Sequence, residues 1–225
     1  MRELEAVIFD YDGTLVDTEE TYYEVMEYLV KKYTGKQLEK LSYIRNVSGT
    51  SVEQCKKYIT ETFSMTDEEY DVLEDELREG MGEKLKRSAL LPYIKEVFEL
   101  LKENSIKIGI ASNGLKKHIE SGLKYHGLYE LVDDIVTKYD VDRAKPAPDI
   151  YLKSADRLGV NIKNCVAVED SKPGATAAAA SGAYLILQTN SITKHIDFSG
   201  VKYKERDVNL YERIESFLKG GIENV

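Results

Sequence analysis

Cysteine is nearly absent. Only Cys55 and Cys165 occur in 225 residues, with no Cys-x-x-Cys pair and no histidine placed to complete a zinc site, so no redox pair or zinc cluster is expected. Long apolar runs are missing too: nothing approaches the roughly 20 residues of a helical membrane span. The first residues, Met1-Arg2-Glu3-Leu4-Glu5, carry acid where a secretory leader has a basic patch and an apolar stretch. A cytoplasmic protein with no membrane partner is therefore expected. Positive charge is in short supply, since 31 Lys and Arg against 40 Asp and Glu leave a net charge of −9. A broad basic face for nucleic acid is accordingly excluded. The chain has no internal repeat, and a monomer is the default expectation.

What is present is a globular composition, 42% apolar and 32% charged. Short apolar runs at Leu4 to Phe9, Ile106 to Ala111, Cys165 to Val168 and Tyr184 to Leu187, with a weaker one at Asp134 to Thr137, lack polar alternation. That is the pattern of parallel strands covered on both faces. Helical patterns lie between them, at Tyr93 to Glu103, Leu115 to Tyr125, Ala147 to Leu158 and Pro173 to Ser181. Strands alternating with helices predict an α/β doubly wound, Rossmann-like, mostly parallel sheet. Residues 16–87 break the alternation with three helical stretches, Glu19 to Tyr33, Ser51 to Phe63 and Asp67 to Leu85, the last opened by a capping signal at Thr66 to Glu69. The expected organisation is a core of residues 1–15 and 88–225 with an inserted helical cap of residues 16–87. The cap tyrosines, Tyr22 excepted, are expected mostly to pack inside it, and the segment Gly220 to Val225 to fray.

In open α/β sheets, ligands bind beyond the carboxyl ends of the strands. Those ends read Asp10-Tyr11-Asp12-Gly13-Thr14, Ser112-Asn113-Gly114 and Glu169-Asp170-Ser171, with Lys145-Pro146 ahead of a helix. Four carboxylates, a hydroxyl and a lysine on one sheet edge suit Mg²⁺ together with a phosphate group. Mg²⁺ takes oxygen ligands and needs only one or two carboxylates beside a substrate phosphate. Asp10 and Asp170 fit as ligands, the Asp12 carbonyl as a third oxygen, and Glu169 as a ligand or its supporting partner. Lys145, Ser112 and the backbone N–H groups near Asn113 suit the charge on a transferring phosphoryl group. Asp10 is placed to attack phosphorus and Asp12, two residues on, to act as general acid and base.

Phe9-Asp10-Tyr11-Asp12-Gly13-Thr14-Leu15-Val16-Asp17-Thr18, Ser112-Asn113, Lys145-Pro146-x-Pro148-Asp149 and Glu169-Asp170-Ser171-x-x-Gly174 resemble the four ordered motifs of the haloacid dehalogenase-like hydrolase superfamily. The resemblance spans essentially the whole chain and is nearest to the β-phosphoglucomutase and phosphoglycolate phosphatase-like branch. It implies Asp10 as nucleophile, Asp12 as acid/base, Ser112 and Lys145 as phosphate binders, and Mg²⁺ held at Asp10, Asp12 and Asp170. Dehalogenases of the superfamily lack the second Asp, so Asp12 implies phosphoryl transfer. Related mutases usually carry a cap His where Tyr22 aligns, and a cap Arg where Val47-Ser48 is followed by Gly49. The expected activity is thus a phosphatase acting on a small phosphorylated metabolite, with a sugar phosphomutase as alternative. Tyr22, one helical turn beyond Thr18, is expected with Thr18 to meet the substrate.

Blander readings apply to each motif singly. Asp10-x-Asp12-Gly13 resembles a turn in which Asp side chains cap backbone N–H groups. Lys145 alone reads as a solvated loop lysine, and Ser171 as a helix cap. An EF-hand is excluded because Gly13 follows the first Asp too soon. A phosphate-accepting receiver module also combines an α/β sheet with clustered Asp and Lys, but it has no helical insertion. His118, His126 and His195 are expected at the surface.

Overall fold

The computed structural model describes residues 2–48 and 52–222. They separate into two compact units, one of residues 1–17 and 89–225, the other of residues 18–88. The first contains six strands, β1 (Ala6–Phe9), β2 (Lys107–Ser112), β3 (Asp134–Thr137), β4 (Cys165–Glu169), β5 (Tyr184–Leu187) and β6 (Glu205–Arg206). They form one parallel sheet in the order β3-β2-β1-β4-β5-β6, the doubly wound order. Its helices are α5 (Ile94–Glu103), α6 (Lys116–Tyr125), α7 (Asp149–Leu158), α8 (Lys172–Ser181) and α9 (Leu210–Gly220). The second unit holds α1 (Thr18–Thr34), α2 (Lys40–Asn46), α3 (Val52–Phe63) and α4 (Asp67–Lys86).

Strands that are apolar on both faces need two helical layers, and two separate clusters supply them. Val7, Phe9, Ile108, Ile110, Val166 and Val168 pack with Val97, Phe98, Leu101, Leu123, Ile214 and Phe217 of α5, α6 and α9. Ala6, Ile8, Ala111, Cys165, Ala167 and Leu185 pack with Ile150, Tyr151, Ala155, Ala175 and Ala178 of α7 and α8. The alternation along each strand therefore sorts side chains between two apolar layers. Small residues on α8 allow that helix to lie close to the sheet. Cys165 is buried in this layer.

In the helical unit, Val25, Met26, Leu29 and Val30 recur at helical spacing on α1 and are buried with Ile59, Phe63, Tyr70 and Leu73. Thr66 caps α4 reciprocally with Glu69, as the capping signal predicts. Two of the cap tyrosines depart from expectation: Tyr28 and Tyr33 are exposed, because the buried stripe of α1 runs through 25, 26, 29 and 30 instead. Tyr43 and Tyr70 take the buried places. A further correction concerns residues 220–222. Gly220 ends α9, and buried Ile222 bridges Arg2 through two backbone hydrogen bonds of 3.0 and 2.7 Å; residues 223–225 lie outside the described residues. Among the described residues, no helix is long and apolar enough to cross a membrane.

The loop after β3 is tied down by Asp140, which accepts from the Thr137 backbone N–H and hydroxyl and from the Arg157 guanidinium of α7, each at 2.8 Å. Partial burial alone would raise this carboxyl, but the Thr137 N–H and the Arg157 guanidinium outweigh it and hold it at about 2. A carboxyl lowered from 3.8 stabilises the fold above pH 4, and that stabilisation fades as pH falls toward 2. Asp140→Asn should therefore cost about 1 kcal/mol at pH 7 after allowance for solvent screening. That is a fall of roughly 2–4 °C in Tm, which should shrink in melts at pH 3. A difference of equal size at both pH values would refute the ionic role.

Candidate active site

The sheet changes winding direction between β1 and β4, and both strands deliver acidic residues at their carboxyl ends. Asp10 extends the β1 ladder, its N–H donating to the Val168 carbonyl at 3.0 Å. Glu169 is the last residue of β4, and Asp170 begins the turn into α8. That turn is built locally: the Ser171 hydroxyl caps α8 by accepting from the Gly174 N–H at 3.2 Å, with Pro173 in the first turn. Gly174 is required by the site. A Cβ there would lie 1.8 Å from Glu169 Oε1, so any side chain would push Glu169 from its place. Gly13, at φ +77°, is doubly required, because a Cβ would stand 2.2 Å from Asp170 Oδ2.

Lys145 joins these ends. Its Nζ lies 2.5 Å from Asp10 Oδ1 and 2.6 Å from Glu169 Oε1, and stands over the Tyr151 ring 5.3 Å from its centroid. Ordered loop contacts place it: the Lys145 N–H donates to Asn113 Oδ1 at 3.3 Å, and exposed Arg143 pairs bidentately with Asp149 at 3.0 and 2.9 Å. Burial would discharge Lys145, but the Asp10 and Glu169 carboxylates outweigh it and hold the ammonium well above its ordinary range. Burial chiefly, with the charges of Glu169 and Asp12, pushes the Asp10 carboxyl up to about 8 against the pull of Lys145. Two buried acids share one buried ammonium, and a third, Asp170, lies beside them.

Asp10, Glu169 and Asp170 offer carboxylate oxygens within 4.8 Å of one another. Clustered hard oxygen donors fit a divalent cation such as Mg²⁺. The three are not equally disposed to it. Glu169 already accepts from Lys145 Nζ, the Tyr151 hydroxyl, the Asp170 and Ser171 N–H groups and the Ser171 hydroxyl, which fills the roughly four lone-pair directions of a carboxylate. Asp12 enters the cluster through its charge on Asp10, not through its carboxylate oxygens. It is half-buried, and Gly114 lies between it and Ser112: a Cβ on Gly114 would be 3.2 Å from Asp12 Oδ2 and 3.1 Å from Ser112 Oγ. Ser112 is buried at the end of β2, with its hydroxyl accepting from the Gly114 N–H at 2.9 Å. Thr18 and Tyr22 belong to the helical unit; Thr18 is buried and Tyr22 exposed. Gly49 lies outside the described residues. None of the three histidines joins the acidic cluster.

Three residues without an assigned role in the sequence reading enter the site. Thr14 donates to Asp170 Oδ1 at 3.1 Å, Tyr151 to Glu169 at 2.8 Å, and Asn190 Nδ2 to Asp170 Oδ2 at 3.0 Å. Thr14 lies inside the first motif. Asn190 follows β5, and the rule that ligand sites lie beyond strand ends points to it. Tyr151 has no such signal, because a tyrosine on an amphipathic helix reads as core.

The chain is similar to known proteins. A sequence model described as haloacid dehalogenase-like hydrolase matches residues 7–187. YhcW of Bacillus subtilis, provisionally named a phosphatase, is 31% identical over 204 residues, covering 89% of this chain and 90% of its own. The phosphorylated carbohydrates phosphatase of Thermotoga maritima is 30% identical over 182 residues, 80% of this chain and 82% of that one. A haloacid dehalogenase family hydrolase from Deinococcus radiodurans, crystallised with phosphate and sodium, superposes with a TM-score of 0.81 over 98% of this chain and 97% of its own at 22% identity, a likeness of fold. With the motifs in order on the strand ends and the match running across most of the chain, this protein belongs to the haloacid dehalogenase-like hydrolases and is a phosphohydrolase of that family.

Proposed function

We propose that the protein is a Mg²⁺-dependent phosphatase that hydrolyses a small phosphomonoester through an aspartyl-phosphate on Asp10. The observation that carries this reading is the buried Asp10–Lys145–Glu169 chain beside Asp170 at the ends of β1 and β4. Asp10 and Asp170 would hold the cation, while Glu169, filled by its donors, orients Lys145. When bound, the cation supplies positive charge that keeps Asp10 ionised and offsets charge on the phosphoryl oxygens. Asp10 attacks phosphorus as the ester P–O bond breaks, and Asp12 gives its proton to the leaving alkoxide. Asp12 then takes a proton from water as that water attacks phosphorus, releasing inorganic phosphate and restoring Asp10. Lys145, Ser112 and the N–H groups at Asn113 bind the phosphoryl oxygens. The helical unit is proposed to set selectivity, with Thr18 and Tyr22 as positions whose substitution changes substrate preference.

The net charge of −9 opposes the approach of an anion, so capture rests on local positive charge. A screen of phosphate release over sugar phosphates, phosphoglycolate and nucleoside monophosphates, with Mg²⁺ or EDTA, should give turnover on at least one compound only with Mg²⁺. Equal release in EDTA, or none on any compound, would overturn the reading. The sugar phosphomutase alternative draws support from a β-phosphoglucomutase of Bacillus subtilis, 29% identical over 197 residues. Tyr22 in place of a cap histidine favours hydrolysis instead. Conversion of β-glucose 1-phosphate to glucose 6-phosphate, with a trace of the bisphosphate, would decide for the mutase.

A further inference from the structure

Asn190 makes contacts that neither core packing nor the reaction scheme requires. It is buried in the loop after β5, yet its side-chain amide is used at both ends. Nδ2 donates to the Gly13 carbonyl and to Asp170 Oδ2, each at 3.0 Å, and Oδ1 accepts from the Ile192 and Thr193 N–H groups, each at 2.9 Å. The partners fix which end is which, because a carbonyl and a carboxylate require the NH₂ and two N–H groups require the oxygen. Its own N–H donates to the Thr193 hydroxyl at 3.0 Å. Three chain segments far apart in sequence thus meet at one side chain: the turn after the Asp-x-Asp, the turn after β4 and the loop after β5. Thr14 completes the cradle by donating to the other oxygen of Asp170.

We infer that Asn190 is a positioning residue for the cation site: its amide holds the Asp170 carboxylate, and the Gly13 turn beside it, in a cation-binding arrangement. This inference rests on the Mg²⁺ site proposed above. A carboxylate held at both oxygens by neutral donors keeps its charge and its orientation, and removing such a partner typically costs a 10- to 100-fold loss of metal affinity. Serine at 190 retains a hydroxyl that can accept from the Thr193 N–H but is too short to reach Asp170. It therefore separates loop closure from carboxylate positioning.

The test is calorimetric titration of Mg²⁺ into wild-type protein, Asn190→Ser, Asn190→Ala and Asp170→Asn without substrate, with thermal melts of each. Asn190→Ser should raise the Mg²⁺ dissociation constant by about 10-fold or more while its metal-free Tm stays close to wild type. In phosphate-release assays its kcat at saturating Mg²⁺ should recover to within about threefold, so that the loss lies in the Mg²⁺ requirement. Asn190→Ala should show at least the same loss of affinity; if it fails to fold, Asn190→Ser alone decides. Wild-type Mg²⁺ affinity in Asn190→Ser, with affinity lost in Asp170→Asn, would overturn the role of Asn190 and leave the metal site standing. Wild-type affinity in both would overturn the metal site and the inference together. A fall in Tm with unchanged Mg²⁺ dependence would mark Asn190 as structural and likewise overturn the proposal.

Discussion

Asp10→Asn should abolish turnover and leave the protein folded. The amide matches the carboxylate in shape but offers phosphorus no anionic oxygen, so a reaction that runs through a covalent bond to this residue has no first step. The expected loss in kcat is at least about 10⁴-fold, or roughly 5.5 kcal/mol of transition-state stabilisation. Stability should hold, because burial disfavours the ionised Asp10 carboxyl and pushes it up, and Lys145 keeps its contact with Glu169. Mg²⁺-dependent phosphate release and a thermal melt of the variant check both parts. Release within 10-fold of wild type would refute the nucleophile, and a collapsed melt would show that Asp10 is needed for folding.

Lys145→Met is the complementary experiment, with the larger effect on stability. Lys145 is almost fully buried and contacts Asp10 and Glu169 together. A methionine of similar length fills the space above the Tyr151 ring but leaves both carboxylates without their ammonium. Breaking a buried ionic contact by removing one partner costs about 3–5 kcal/mol, which for a chain of this size is a Tm fall of roughly 10 °C. Activity should drop by 100-fold or more, because the same ammonium is assigned to the phosphoryl oxygens. Arginine should not rescue it: a planar guanidinium does not reproduce a compact ammonium held between Asp10 and Glu169 with the Tyr151 ring against it. A variant that melts with wild type would show that the buried acids relax without the lysine.

Much of this was legible along the chain because it depends on local order. The β-branched run ending at Asp10, the apolar run ending at Ser112 and the one ending at Glu169 announce parallel strands whose next residues face a ligand. β6, of two residues, carries too short a pattern to be read. The helices α2, of seven residues, and α9, beyond β6, carry no sequence signal in the strand-and-helix alternation.

By itself, the order of motifs determined the doubly wound core, the acidic strand ends and the family, since each follows from spacing within a strand and its turn. Only the tertiary structure decided how the acids differ. Glu169 is filled by five donors, three from its own turn and two from Lys145 and Tyr151, whereas Asp170 is held by Thr14 and Asn190. Adjacent residues with the same functional group thus receive different roles. The physical reason is that a carboxylate's disposition depends on the donors surrounding it. The donors from outside that turn, Thr14, Lys145, Tyr151 and Asn190, come from the β1 and β5 connections, the loop between β3 and α7, and α7 itself, whose meeting is set by strand order across the sheet.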